Sequence, residues 1–194
     1  LWDFDTPEKG NARSSGYARE EHNWYVEEAS AVDAILAAEN PTGLIYDPAA
    51  GGGNIPARCA ARGLECLGSD IVDRGAGFPV FDFLTGVLPS RAGDVATVLT
   101  NPPFPEAEQF VDRTFSVLPN CRRVIMFHRL AFLEGKRRGE WFPRVGLARV
   151  WVHSSRQSLR PAGKAIDKSG GSVAFAWFTF ERGHVGPWTG GFLP

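Results

Sequence analysis

Apolar residues recur at helical spacing from Glu28 to Glu39 (EASAVDAILAAE), where Ala31, Val32, Ile35 and Leu36 share one face, and the pattern stops at Asn40-Pro41. The short run Leu44-Ile45-Tyr46 predicts a buried strand, followed by a Gly-rich loop over 47–53 and a helix from Ile55 to Arg62. Leu64 to Leu67 predicts a second strand that ends at Asp70, and Val80-Phe81 a short third one within the loop-rich stretch 71–94. Val95 to Thr100 is continuously β-prone and is closed by Asn101-Pro102-Pro103-Phe104. Glu106 to Leu118 predicts a helix with Phe110, Val111, Phe115 and Leu118 on one face. Beyond it come a strand at Arg123 to Phe127, a helix at Leu130 to Trp141 and a strand at Ala148 to His153. A long polar loop over 154–172 leads to an alternating final strand, Val173 to Phe180, and a Gly/Trp/Pro-rich tail. The polar stretch 1–23 reads as a flexible arm.

Alternating strands and helices imply an α/β fold, a doubly wound and mostly parallel sheet of seven strands. The last two strands have no helix between them, so the last is expected to run antiparallel at one side of the sheet. With 194 residues there is room for one such domain, spanning 24–194, and not for two. No stretch of about 18 apolar residues is present, so no membrane partner is expected. The opening segment LWDFDTPEKGNARSSG lacks a basic patch followed by an apolar run, so no secretory leader is expected in it. Cys59, Cys66 and Cys121 have no metal-ligand or C-x-x-C spacing, which suits reduced thiols in a cytoplasmic protein without a metal.

The net charge of −1 conceals a split: residues 1–100 carry −8 and residues 101–194 carry +7, with +9 concentrated in 122–168. Such asymmetry favours a polyanionic partner over a merely solvated basic face.

Ligands of an open parallel sheet bind at the carboxyl ends of its strands, and four candidate segments fall there. In Asp47-Pro48-Ala49-Ala50-Gly51-Gly52-Gly53, glycines let the backbone turn tightly and approach a ligand. The loop is not a triphosphate-binding G-x-x-x-x-G-K-[ST]. Asp70, followed by Ile71, ends the next predicted strand, where an acid can accept both hydroxyls of a ribose. Asp82-Phe83 can offer a carboxylate to an exocyclic amine and a ring to a purine face, although Asp82 alone suits a turn equally well. The fourth, Asn101 to Phe104, suits chemistry on an aromatic amine. Such an amine is a poor nucleophile because its lone pair is delocalised. Acceptors on its two hydrogens, the Asn101 side-chain oxygen and the Pro102 carbonyl, would favour a pyramidal nitrogen. Pro102 and Pro103 stiffen the turn, and Phe104 can stack on the base.

These segments, in this order, resemble the class I S-adenosylmethionine (SAM) dependent methyltransferases, and among them the adenine-N6 DNA methyltransferases that carry N-P-P-F/Y. The resemblance covers roughly residues 24–180. Asp47, Pro48, Ala49, Gly51 and Gly53 match the family's D-P-A-x-G-x-G loop, Asp70 its ribose-binding acid, Asp82-Phe83 the pair that holds the SAM adenine, and Asn101 to Phe104 the catalytic tetrapeptide. Val124 to Arg138 and Ala176-Trp177-Phe178 also resemble small phage and prophage members. At Tyr25-Val26-Glu27-Glu28, Glu28 stands where many relatives have proline, and Tyr25 is carried over as a contact to the methionine part of SAM.

The resemblance implies transfer of the SAM methyl to an amine held by Asn101 and Pro102, with S-adenosylhomocysteine as product and no covalent enzyme intermediate. It implies DNA as substrate, flipped or single-stranded, in the cytoplasm of a bacterial or phage-infected cell. Arg129, Lys136, Arg137, Arg138, Arg156, Arg160, Lys164 and Lys168 are the candidate phosphate contacts. No room remains for a sizeable target-recognition region, so specificity should be low or short. His22, His128, His153 and His184 are dispersed, and His128 is read as structural; the tryptophans are more often core or rim packing than base stackers, with Trp24 and Trp177 the two candidates for the latter. RNA is the first alternative partner. A protein glutamine amide, a non-catalytic SAM- or nucleic-acid-binding module and a nicotinamide-dependent dehydrogenase follow in decreasing order.

Overall fold

The computed structural model describes residues 24–88, 90–157, 159–161 and 173–194. The expected arm 1–23 and the stretch 162–172, with Lys164 and Lys168, lie outside the described residues.

In chain order the elements are β1 (Tyr25–Val26), α1 (Ala29–Glu39), β2 (Leu44–Asp47), α2 (Asn54–Ala60), β3 (Cys66–Gly68), β4 (Val95–Thr100), α3 (Ala107–Val117), β5 (Arg123–Arg129), α4 (Lys136–Val145), β6 (Leu147–His153), β7 (Arg160–Pro161), β8 (Phe175–Glu181) and β9 (Thr189–Leu193). Seven of the strands form one sheet in the order β3-β2-β4-β5-β8-β6-β9. β3, β2, β4 and β5 are mutually parallel, β8 runs antiparallel to both β5 and β6, and β9 is parallel to β6. A doubly wound α/β sheet with an antiparallel strand is thus observed.

Alternate residues of each strand serve opposite faces. Ile45, Leu99, Ile125, Phe127 and Trp177 pack with Val32, Ile35 and Leu36 of α1 and Ile55 and Cys59 of α2. Their neighbours Tyr46, Val98, Val124, Met126 and Phe178 pack on the other face with Phe110 and Val111 of α3 and Trp141 and Phe142 of α4. Helices on both faces explain why the central strands read as continuous apolar runs. α1 ends as expected: Asn40 is left-handed (φ 42°) and its N–H closes on the Leu36 carbonyl.

Four expectations need correction. The antiparallel strand is not at the side of the sheet; β8 sits between β5 and β6, and its two faces pack into the two core clusters, so both are buried rather than alternately exposed. It is not the final strand either, because the Gly-rich tail supplies β9 at the edge. Val80 contributes only a single parallel bridge to Asp70, so the count of seven is reached with β9 in its place. The helix expected over 130–141 is a 3-10 turn, Leu130–Leu133, then α4; Gly135 (φ 112°) interrupts them with a conformation that side-chain-bearing residues rarely adopt. The polar loop 154–172 also contains β7, which pairs with β1, Val26 opposite Arg160.

At the amino end of the parallel strands a charged cluster ties the layers together. The Glu39 side chain, 2% exposed, accepts through its carboxylate from Arg149 Nε (2.8 Å) and Nη2 (2.9 Å), Trp151 Nε1 (2.6 Å), Thr179 Oγ1 (2.8 Å) and Arg123 Nη1 (3.1 Å). Arg149 Nη2 also donates to Glu181 at 2.6 Å. Burial alone would raise the Glu39 carboxyl, but the donors from Arg149, Trp151 and Thr179 outweigh it and hold it below its ordinary range. Among the described residues, no helix is long and apolar enough to cross a membrane.

Candidate active site

A cavity of about 310 Å³ opens at the carboxyl ends of β2 and β4, in the size range of small-molecule sites. Of the residues expected to bind a cofactor, Tyr25, Asp47, Pro48, Ala49, Gly51, Asp70, Ile71, Asp82, Phe83 and Asn101 all line it. Gly53 does not; it lies under the Phe78 ring. Gly51 has φ 53°, and a Cβ there would stand 2.7 Å from Trp24 Nε1, so both the turn and the close approach of the indole require glycine. Trp24 also lines the cavity and carries the Arg74 guanidinium 4.3 Å above its ring centre. Trp177, by contrast, is wholly buried in the core.

The acids of the loops are partly occupied by their own backbone. Asp47 Oδ1 accepts from Ala49 N–H at 3.1 Å. Asp70 takes the Gly51 N–H on Oδ2 (2.8 Å) and the Val72 N–H on Oδ1 (3.0 Å). Asp82 takes the Leu84 N–H (2.9 Å) and the Thr85 hydroxyl (2.5 Å), the turn geometry its sequence context also suited. Each carboxylate oxygen retains a second lone pair, so these acids can still accept from a ligand. The Thr85 hydroxyl first, then the backbone donors, hold the Asp82 carboxyl below its usual range despite some burial. Burial, reinforced by the neighbouring Glu27 carboxylate, pushes Asp47 well up. Phe83 is buried against Tyr46 and Phe110 with its edge on the cavity.

Asn101 follows β4 and faces this cavity. Its amide nitrogen donates to the Tyr25 carbonyl (2.8 Å) and to Glu27 Oε2 (2.8 Å). Both amide hydrogens are thereby committed, which leaves Oδ1 as the end that can accept from a ligand. Pro103 also lines the cavity. Neither Pro102 nor Phe104 is in the cavity lining: Pro102 is buried, and Phe104 packs on His128 (4.6 Å between ring centres) and under Arg129 (5.1 Å). His128 Nε2 lies 3.3 Å from the Phe104 carbonyl, and burial lowers its pKa to about 4, so a neutral imidazole props the turn.

Sequence reasoning did not single out Glu27 or Asn54. Glu27 is buried, and its Oε1 accepts from Asn54 Nδ2 at 2.8 Å while its Oε2 holds Asn101. No local pattern marks such a residue, since its partners lie 27 and 74 positions away.

The candidate phosphate contacts separate. Arg129, Lys136, Arg137 and Arg156 are exposed. Arg137 is paired with Glu108 at 2.6 Å, and Arg138 sits 3.7 Å from the same carboxylate and over Phe132. Arg160 belongs to β7. Among the described residues, no group of three or more His, Cys, Asp or Glu is arranged to hold a metal.

No protein-family model and no curated protein matches the chain. Solved structures do. A candidate RNA methyltransferase from Pyrococcus horikoshii superposes with a TM-score of 0.56 at 15% identity, covering 79% of this chain and 82% of that one. Magnesium protoporphyrin IX methyltransferase from Synechocystis, solved with bound SAM, gives 0.55 at 18% identity, covering 79% of each chain. The M protein of the Type I restriction enzyme EcoKI gives 0.53 at 14% identity, covering 81% of this chain and 44% of that one. The sheet order, the antiparallel strand between β5 and β6 and these superpositions together show that the chain has the fold of the class I SAM-dependent methyltransferases.

Proposed function

We propose that the chain is a SAM-dependent methyltransferase acting on the exocyclic N6 amine of adenine in DNA, with low or short sequence specificity. The observation that carries this reading is the Asn101 amide, whose nitrogen is tied down by Tyr25 and Glu27 so that its oxygen is the available acceptor at the cavity wall. An amine donor is the complement of that oxygen.

The cavity fits the cofactor. Gly51 and Gly52 form a side-chain-free floor beside Trp24, and Asp70 and Asp82 supply acceptors suited to ribose hydroxyls and an adenine amine. Bound SAM supplies an electrophilic methyl on its sulfonium. Asn101 Oδ1 accepts one hydrogen of the target amine and the Pro102 carbonyl the other. The two acceptors disfavour delocalisation of the nitrogen lone pair into the ring and fix its direction. The amine nitrogen would form the new N–C bond as the C–S bond breaks, leaving the bonding pair on the sulfur of S-adenosylhomocysteine, and would release one proton to solvent water. Phe104, packed on His128 and under Arg129, stiffens the turn beside the cavity. An adenine inside a duplex cannot reach such a cavity, so it must be flipped or single-stranded. The basic charge of the segment 122–168, with Arg129, Lys136 and Arg137 exposed, supports a nucleic-acid substrate.

The test is incubation with methyl-labelled SAM and, separately, duplex DNA, single-stranded DNA, RNA and protein extract, followed by identification of the modified nucleoside or residue. N6-methyladenine in DNA is the expected product. Label confined to RNA or to protein would replace the proposed substrate, and no label in any arm would end the proposal.

A further inference from the structure

Glu27 is a buried carboxylate without an ion-pair partner among the described residues, in contrast to Glu39 with its two guanidinium groups. It instead receives one amide hydrogen on each oxygen, from Asn54 on one side and Asn101 on the other, both at 2.8 Å. Asn54 Nδ2 additionally donates to the Glu27 carbonyl at 3.0 Å. Keeping a charge buried against two neutral amides is costly, as the upward push of burial on its pKa reflects. A glutamine would be cheaper to bury but cannot do the same work. A carboxylate is acceptor-only at both oxygens, whereas an amide presents an acceptor at one end and a donor at the other.

We infer that Glu27 is a positioning residue that selects which end of the Asn101 amide faces the target amine. With a carboxylate between them, both asparagines must turn their nitrogens inward, and Asn101 therefore turns its oxygen outward. With an amide in its place, only one asparagine keeps an acceptor. The other is left donor to donor and is relieved by rotating end for end, at the cost of its bond to the Tyr25 carbonyl (Asn101) or the Glu27 carbonyl (Asn54). If Asn101 rotates, it presents NH₂ to an amine, and the acceptor is lost. This inference rests on the proposed role of Asn101 Oδ1, and it assigns that orientation to a residue outside the N-P-P-F turn.

The test is a compensation cycle of Glu27→Gln, Asn101→Asp and the double variant, with kcat and the KM for SAM measured for each. Glu27→Gln should lower kcat at least tenfold with KM for SAM changed less than threefold. Asn101→Asp sets two carboxylates against each other and should lower kcat further. In the double variant the new amide accepts from Asn54 and donates to the new carboxylate, whose outer oxygen is again free for the target; the bond to the Tyr25 carbonyl is lost in this variant and in Asn101→Asp alike, so it cancels between the two. It should therefore be at least tenfold more active than Asn101→Asp alone. A residue that merely supports the fold would give no such recovery. A double variant no better than Asn101→Asp, or a Glu27→Gln variant with unchanged kcat, overturns the inference. A second readout does not depend on activity. In ¹H–¹⁵N spectra the side-chain amide protons of Asn101 should exchange slowly with water in the wild type and lose that protection in Glu27→Gln. Unchanged protection overturns the inference even if the wild type methylates DNA. A wild type without methyl transfer but with this loss of protection refutes the function and leaves the positioning role standing.

Discussion

Replacing Glu39 by glutamine separates the stability of the fold from the chemistry of the site. The wild-type carboxylate accepts from two arginines, a tryptophan and a threonine, and every partner is a donor. Glutamine keeps one acceptor, turns an N–H pair toward the Arg123 and Arg149 guanidinium groups, and removes the charge that compensates them. Breaking a buried ion pair from one side costs about 3–5 kcal/mol. At about 2–4 °C per kcal/mol for a domain of this size, Tm should fall by roughly 6–20 °C. The cluster lies at the amino end of the parallel strands, remote from the cavity, so below its melting range the variant should keep wild-type kcat. The pH dependence has a definite sign. The folded carboxyl titrates below its unfolded value, so its stabilisation is complete above about pH 4.3 and is lost as pH falls through the folded value. The variant should lack that part of the acid dependence. Thermal unfolding by circular dichroism between pH 3 and 7, as about a two-state transition, reads both effects. A Tm within about 2 °C of wild type would mean that the cluster contributes no more than a surface pair and would rule out this role for Glu39.

Asn101→Ala should lower kcat by about 10²–10³ through loss of one preorganised acceptor, with SAM affinity changed only a few-fold; single-turnover transfer and calorimetric titration check the two halves. Trp24 stands over Gly51 at the cavity wall, so SAM should change the intrinsic fluorescence and Trp24→Phe should remove most of that change, measured by titration. Burial lowers the His128 pKa to about 4, so its imidazole resonances should not titrate between pH 5 and 8. Because the folded value lies below the unfolded value of about 6.5, the neutral form stabilises fully above that pH, and this contribution is lost as pH falls toward 4.

How much of this was legible along the chain depended on whether the determining contacts were local. β4 appears with the bounds its apolar run and the following Asn101-Pro102 imply, and α1 stops at Asn40 because a left-handed cap is a local device. The Gly-rich loop and the acids at strand ends also carry local signals, and they converge on one cavity. β9 was illegible because Gly190 and Gly191 have poor strand propensity; pairing with β6 imposes the strand. The same holds for β1 and β7, two residues each, which exist only through their mutual pairing. The placement of β8 inside the sheet shows in its burial on both faces, which alternation within a single segment cannot reveal. Glu27 in a polar stretch has no periodicity to betray it, and its meaning comes from Asn54 and Asn101, which the fold brings to it.

The proposed chemistry requires that the ligand of this cavity be the methyl donor for an amine held at Asn101. A crystal structure with S-adenosylhomocysteine tests it most directly. The adenosine is expected between Asp70 and Asp82, the amino-acid end along Tyr25 and Asp47 to Gly51, and the sulfur facing Asn101 Oδ1 with space between them for a methyl and an amine. A ligand bound elsewhere, or a sulfur turned away from Asn101 with the turn closed to any substrate, would contradict it.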